Sequence, residues 1–320
     1  MDTIIFLCNP AMKSLVLLDE LPDEVRIAVG LEQAAYANLV SEANILVINT
    51  DDQALIANAF ASAPHLKWIH SLMAGLEKKL IPEIRASSIP MTNARGVYKE
   101  SLGEFVITCC LYFAKDIRRM VEQQRAGQWQ PFNVEEIAGK TMGILGYGEI
   151  GRAAARRARA LGMKVIGVRR HPDRSAGDPY VERTVSFTER KAVIAESDYV
   201  VIAAPNTPDT RNLVSREELA AMKESAVLIN VGRGLVVDED ALVEMLREKR
   251  IRGAGLDVFQ QEPLPAGHPF FSLENVLLSP HCADNTPTWL DDSMRFFLEN
   301  YKRFHAGEPL ENLVNKELGY

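Results

Sequence analysis

Thr141-Met142-Gly143-Ile144-Leu145-Gly146-Tyr147-Gly148-Glu149-Ile150-Gly151 decides how this chain is read. An apolar, strand-length run enters a G-x-G-x-x-G turn, and the Ala/Arg-rich segment Arg152–Leu161 leaves it. The glycine pattern alone is weak; the strand before it and the helix after it supply the context it needs. Gly146 permits the tight turn, Gly148 lets backbone approach a pyrophosphate, and Gly151 lets the helix pack close to the strand. Tyr147, Glu149 and Ile150 complete the turn, whose helix N-terminus offers unpaired N–H groups and partial positive charge to an anion. The turn is therefore predicted to bind a dinucleotide. Arg152, Arg156, Arg157 and Arg159 follow at helical spacing and predict a solvated face.

Working outward, strand-length apolar runs alternate with amphipathic segments almost throughout, the pattern of parallel sheets with crossover helices. Thr141–Leu145, Lys164–Val168, Tyr199–Ala204, Ala226–Val231, Ala254–Val258 and Asn275–Leu278 predict six strands, several apolar enough to be covered on both faces. That is one complete dinucleotide-binding sheet starting well inside the chain. The runs Ile4–Cys8, Ile45–Ile48 and Leu66–Ile69 belong to a separate domain before it. The helical segment Thr288–Phe304 has no strand of its own and is expected to return to that first domain. The expected organisation is thus α/β with two doubly wound domains. Residues 1–98 and 287–320 form a substrate domain, and 99–286 form an inserted Rossmann domain.

The chain has 320 residues, enough for two such domains. With 36 Lys+Arg against 43 Asp+Glu, its net charge of −7 argues against a nucleic acid or an anionic membrane as partner. Cys8, Cys109, Cys110 and Cys282 form no C-x-x-C pair and read as reduced thiols, with no metal site implied. No basic leader precedes the apolar start, and no apolar run reaches the 18–20 residues or so that span a bilayer. A cytoplasmic protein is expected.

The coenzyme preference is read at the end of the second strand of the inserted sheet. An acidic residue about 20 positions beyond the turn usually takes the ribose hydroxyls. Here Arg169-Arg170-His171-Pro172 stands instead, and guanidinium groups match a phosphate. NADP rather than NAD is expected.

Three further segments lie at or beyond strand ends: Asn230-Val231-Gly232-Arg233-Gly234, Leu256-Asp257-Val258-Phe259-Gln260-Gln261-Glu262-Pro263, and Leu278-Ser279-Pro280-His281. Ligands sit at that edge of a parallel sheet. Taken singly, Arg233 could be a phosphate contact, Glu262 a loop cap and His281 a core histidine. Together with the Gly-rich turn, this Arg…Glu…His order resembles the D-isomer-specific 2-hydroxyacid dehydrogenases over most of the chain. The resemblance implies a flavodoxin-like first domain and makes Arg233, Glu262 and His281 catalytic. A histidine exchanges protons near neutrality, and an arginine grips a carboxylate with two prongs.

The resemblance also implies that Ala203, Pro205, Thr207, Val231, Gly232 and Asp257 contact the cofactor. Asp257 matches the contact to the nicotinamide carboxamide. In the first domain, Ser71-Leu72-Met73-Ala74-Gly75 resembles the substrate loop. Backbone N–H groups of Ala74 and Gly75 would hold a carboxylate there, with Leu72 and Met73 either lining the pocket or packed in the core. The expected partner is a small 2-keto or 2-hydroxy acid. A cofactor-sensing binding protein of the corepressor type is the alternative, since such proteins resemble the same sheet and triad. The segment Arg118–Phe132, with Trp129 and Phe132 flanking Pro131, is expected to form a homodimer arm. Asp284, where the family carries small residues, is read as a cap of the following helix in preference to a contact for a polar substrate tail.

Overall fold

Continuous apolar runs with no polar alternation can bury both faces, and here they build two wholly parallel sheets. The computed structural model describes residues 1–319. The chain divides into two units, one formed by Met1–Val97 together with the chain from Pro287 onward, the other by Tyr98–Thr286.

In the first unit, β1 (Thr3–Leu7), β2 (Arg26–Val29), β3 (Ile45–Ile48), β4 (Trp68–Ser71) and β5 (Met91–Asn93) pair in the order β2-β1-β3-β4-β5. This is the flavodoxin-like order. The connections carry α1 (Gln33–Tyr36), α2 (Gln53–Ala61) and α3 (Pro82–Ala86). Asp52 starts α2 by accepting from the Leu55 amide at 3.0 Å, and Pro82 opens α3, where a missing N–H costs nothing. β2 and β5 were not foreseen. The first is only half-buried and the second is three residues long, so neither makes an apolar run.

The second unit runs through α4 (Lys99–Ala114), α5 (Ile117–Arg125), β6 (Thr141–Leu145), α6 (Glu149–Ala160), β7 (Lys164–Val168), β8 (Arg183–Val185), α7 (Arg190–Glu196), β9 (Tyr199–Ile202), α8 (Arg216–Ala220), β10 (Val227–Asn230), α9 (Glu239–Arg247), β11 (Gly253–Leu256) and β12 (Val276–Leu278). Its seven strands pair as β12-β11-β10-β9-β6-β7-β8. The expectation of six strands is corrected: β8, Arg-Thr-Val beside β7, is too short and too polar to show as an apolar run. With β8 counted as the third strand from β6, the order is the doubly wound dinucleotide-binding one extended by β12. The chain then returns to the first unit as α10 (Trp289–Ala306), closed by Gly307 at φ 71°. Phe297 of α10 is fully buried, stacked on Trp68 at 5.4 Å and edge-on to Phe6 at 5.3 Å. Burial of such a side chain contributes about 1.5–3 kcal/mol.

The arginine face of α6 is solvated as expected, with Arg152, Arg156 and Arg159 exposed and Arg157 half-buried, and its charges are paired. Arg156 and Arg157 both reach Glu100 of α4 at 2.6 and 2.7 Å, Arg152 meets Asp178 at 2.7 Å, and Arg159 meets Glu182 at 3.5 Å. These are tertiary pairs, invisible to helical spacing. Gly103 makes the packing of α4 on α6 possible, since a Cβ there would stand 3.0 Å from the Ala153 carbonyl carbon.

Candidate active site

The Gly-rich turn is tied to its own sheet. Gly146 and Tyr147 both donate their amides to the Val168 carbonyl, at 2.9 and 3.0 Å. Gly146 has φ +93°, and a Cβ there would lie 2.4 Å from the Ala204 nitrogen, so only glycine fits. Tyr147 is 2% exposed, and its ring packs over Gly167. Both its amide and its ring are therefore committed to the fold. Burial pushes its hydroxyl well above the ordinary tyrosine pKa.

A dinucleotide fits what remains. A Cβ at Gly148 would meet nothing closer than 4.0 Å, so that side of the turn is open. The first helical bond of α6 runs from Arg152 to the Gly148 carbonyl at 2.8 Å, so the amides of Glu149 and Ile150 precede it. At the end of β7, Arg169 donates to the Ser175 hydroxyl at 2.5 Å, a neutral partner that leaves its charge unmatched by that contact. Arg170 is already paired with Asp209 at 2.7 Å. After β9, Ala203 is half-buried and Pro205 exposed, whereas Thr207 is buried and its polar atoms serve a turn with Thr210.

The three later segments meet at the carboxyl edge of the sheet. Past β10, the Asn230 side chain accepts from the Gly232 amide at 3.0 Å and donates to the Arg233 carbonyl at 3.1 Å. Val231 is buried, and its amide extends the sheet to Ile202. A Cβ at Gly232 would stand 2.6 Å from the Ala204 carbonyl oxygen. Past β11, Glu262 folds back so that Oε1 accepts from the Phe259 amide at 2.9 Å, while Oε2 lies 2.7 Å from His281 Nδ1 past β12. The Glu262 hydrogen bond and charge raise the His281 pKa against an opposing burial effect, and nearby Asp257 adds to the rise. Burial alone would raise the Glu262 pKa, but the bonds from His281 and Phe259 outweigh it and hold the carboxyl below its ordinary value. Arg233 contributes to both fields, lowering each pKa.

Asp284 caps nothing. The residue before α10 is Thr288, α10 has no side-chain cap bond, and Asp284 is half-buried. Burial and the neighbouring Asp257 charge raise its pKa. In the first unit, Leu72 is fully buried with Trp68 and Phe297, which resolves it as core. Met73, Ala74 and Gly75 are half-buried, and Ser71 and Asn93 hold their loop through the Met73 and Ala74 carbonyls at 3.0 and 2.8 Å. Among the described residues, no group of His, Cys, Asp and Glu could hold a metal, and no helix is long and apolar enough to cross a membrane. Ser101 and Ser175, which touch this site from elsewhere, were missed. A lone serine in a helix or a turn carries no signal.

Residues 107–283 match a family model described as D-isomer specific 2-hydroxyacid dehydrogenase, NAD binding domain. A glyoxylate reductase of Thermofilum pendens is 35% identical over 289 residues, covering 88% of this chain and 84% of that protein. Among solved structures, a D-isomer specific 2-hydroxyacid dehydrogenase from Xanthobacter autotrophicus Py2 in complex with NADPH and MES aligns with a TM-score of 0.86 at 29% identity, covering 100% of this chain and 99% of that one. An NADPH-dependent glyoxylate/hydroxypyruvate reductase from Sinorhizobium meliloti, in complex with NADP and sulfate, aligns with a TM-score of 0.86 at 26% identity over the whole of both chains.

The Glu262–His281 pair makes a measurable prediction. In Glu262→Gln the charge that favours imidazolium is gone, so the His281 pKa falls. An NMR titration of the imidazole, with His281→Ala to assign it, should show the midpoint moving to lower pH. An unmoved midpoint would separate the two residues functionally.

Proposed function

The chain belongs to the D-isomer specific 2-hydroxyacid dehydrogenase family, and we propose that it is an NADPH-dependent reductase of a small 2-keto acid such as glyoxylate or hydroxypyruvate. The observation that carries this reading is the 2.7 Å contact between Glu262 and His281 beside Arg233, at the edge where the Gly-rich turn also opens. In this reading the Tyr98–Thr286 unit holds the cofactor and the other unit serves the substrate. Glyoxylate reductase relatives favour catalysis over the corepressor-type alternative.

Bound NADPH supplies the hydride. Gly148 and the amides of Glu149 and Ile150 hold its pyrophosphate, Arg169 its 2′-phosphate, and Asp257 its carboxamide. Ala203, Pro205, Val231 and Gly232 provide backbone along the same edge. Arg233 grips the substrate carboxylate and polarises the carbonyl, while the Ala74–Gly75 loop of the first unit is read by itself as a carboxylate-binding loop. Glu262 keeps a proton on His281 Nδ1, which aims Nε2 at the substrate oxygen; Nε2–H gives its proton to the alkoxide as it forms. In the reverse direction the neutral ring takes that proton back. Reduction therefore needs imidazolium and fails as pH rises through the His281 pKa, while oxidation fails as pH falls through it.

The reading extends to assembly and setting. Ile117, Met120 and Val121 form an apolar stripe on α5 at 37–41% exposure, and Trp129 beyond it is 97% exposed. Arg119 stacks on Phe132 at 4.4 Å and stiffens the segment. Such a face suits a second copy of the chain, as an arm across a twofold axis. Cysteines that are all free accord with a cytoplasmic setting.

Purified protein should oxidise NADPH with glyoxylate or hydroxypyruvate, and His281→Ala should lower kcat by roughly 10²–10⁴. Arg233→Ala should raise KM for the keto acid as well as lower kcat. Cofactor binding without turnover of any 2-keto acid would overturn the enzyme reading. For the coenzyme, one well-formed charged hydrogen bond is worth about 10–100-fold, so Arg169→Asp should lose most of a preference of that order for NADPH over NADH. An unaltered ratio of kcat/KM values would move the phosphate contact elsewhere. Light scattering should report the mass of two chains at micromolar concentration, and Met120→Asp should shift it towards one; a monomeric wild type would count against the arm.

A further inference from the structure

His281 sits at φ 52°, a left-handed backbone conformation that a residue with a Cβ keeps only when its surroundings hold it there. The holding contacts come from two directions. Asp257, 1% exposed just past β11, presents a single oxygen, Oδ1, to three donors. These are the Ser279 hydroxyl at 2.5 Å, the Cys282 amide at 3.0 Å and the Ala283 amide at 3.1 Å. The donors bracket His281 on both sides in sequence. From α4, the Ser101 hydroxyl donates to the Ala283 carbonyl at 2.6 Å, fixing the far side of the same turn. The Ser279 amide adds a bond to the Leu256 carbonyl at 2.8 Å, anchoring the near side to the sheet.

We propose that Asp257 and Ser101 are positioning residues for His281, a clamp that holds the histidine turn so that Glu262 can fix the ring. The chemistry is that of a saturated acceptor. A carboxylate offers about four lone-pair sites on two oxygens, and loading three donors onto one of them commits that oxygen to the turn. Bonds to a buried charge are also the stronger kind and bring the donors to one point. Ser101 supplies the complement, a hydroxyl for the carbonyl that the Asp257 carboxylate cannot serve. This role is additional to any contact between Asp257 and the nicotinamide end of the cofactor. It rests on the reading of His281 as the acid/base.

The test compares Ser101→Ala, Asp257→Asn and Asp257→Ala in the full-length protein. Hydrogen exchange at the Cys282 and Ala283 amides should accelerate by about 10–100-fold in Asp257→Ala, the loss expected for bonds to a charged acceptor. Asp257→Asn, which keeps an acceptor oxygen, should restore part of that protection. In Ser101→Ala, kcat should fall by about tenfold with NADPH affinity unchanged within about twofold, since Ser101 acts only through the turn. Introduced into His281→Ala, Ser101→Ala should not lower the residual rate further, because a residue acting only through one group is not additive with its loss. Wild-type exchange at both amides in the Asp257 variants, or a further rate loss from Ser101→Ala on the His281→Ala background, would overturn the clamp. If no 2-keto acid is turned over, the function fails on its own, and the exchange measurement still decides whether the clamp exists. Should Asp257→Ala fail to fold, Asp257→Asn and Ser101→Ala carry the same comparison.

Discussion

Parallel pairing of β6, β7, β9, β10, β11 and β12 makes every one of these strands end on the same edge. A parallel sheet cannot place its chain reversals there at random, because each strand must be followed by a crossover. The residues immediately past the strands are thereby brought into line although long stretches of chain separate them. Gly146, Arg169, Ala203, Arg233, Asp257 and His281 all stand within a few residues of a strand end. The site's chemistry depends on this alignment more than on any single contact. Glycines at the closest approaches enforce it: a side chain at Gly234 would collide with the Phe259 carbonyl carbon at 1.9 Å, separating two of the site's loops.

Within that frame the Glu262–His281 contact serves orientation rather than stability. The two side chains are 34% and 43% exposed, a setting where ion pairs contribute about 0–1 kcal/mol. The sign of the coupling is clear nonetheless. His281, with its pKa raised on folding, contributes stability below the ordinary histidine value that is lost as pH rises through the raised one. Glu262, with its pKa lowered, contributes above the ordinary carboxylate value and loses it as pH falls through the lowered one. The pair is therefore intact between those limits. In the proposed reaction the ring alternates between charged and neutral forms at the upper of these limits.

The charges on α6 have a separate task. Helices flanking a parallel sheet must also pack on one another, and Arg157, with a side chain 19% exposed, reaches Glu100 and Glu104 of α4. The same α4 begins with Lys99 paired to Glu149 and carries Ser101 to the histidine turn. One helix thus braces both the Gly-rich turn and the loop that carries His281.

Local sequence determined the features that depend on near neighbours. The run into Gly146, the apolar strands from β6 to β12 apart from β8, and the residue types at Arg233, Glu262 and His281 were all legible. Each is either a continuous burial pattern or a short motif whose spacing has a physical cause. The tertiary structure decided what depends on distant partners. β8 exists because β7 offers it an edge, and Tyr147 is core because Gly167 leaves room for its ring. Arg169 meets Ser175 while Arg170 is neutralised by Asp209, a distinction that two adjacent arginines cannot reveal. Asp284 caps no helix because α10 begins after Thr288, and Asp257 gathers the histidine turn from 22 to 26 residues away. Hydrogen bonds and charge pairs of that range are set by where the sheet delivers the chain, and no periodicity in the residues encodes them.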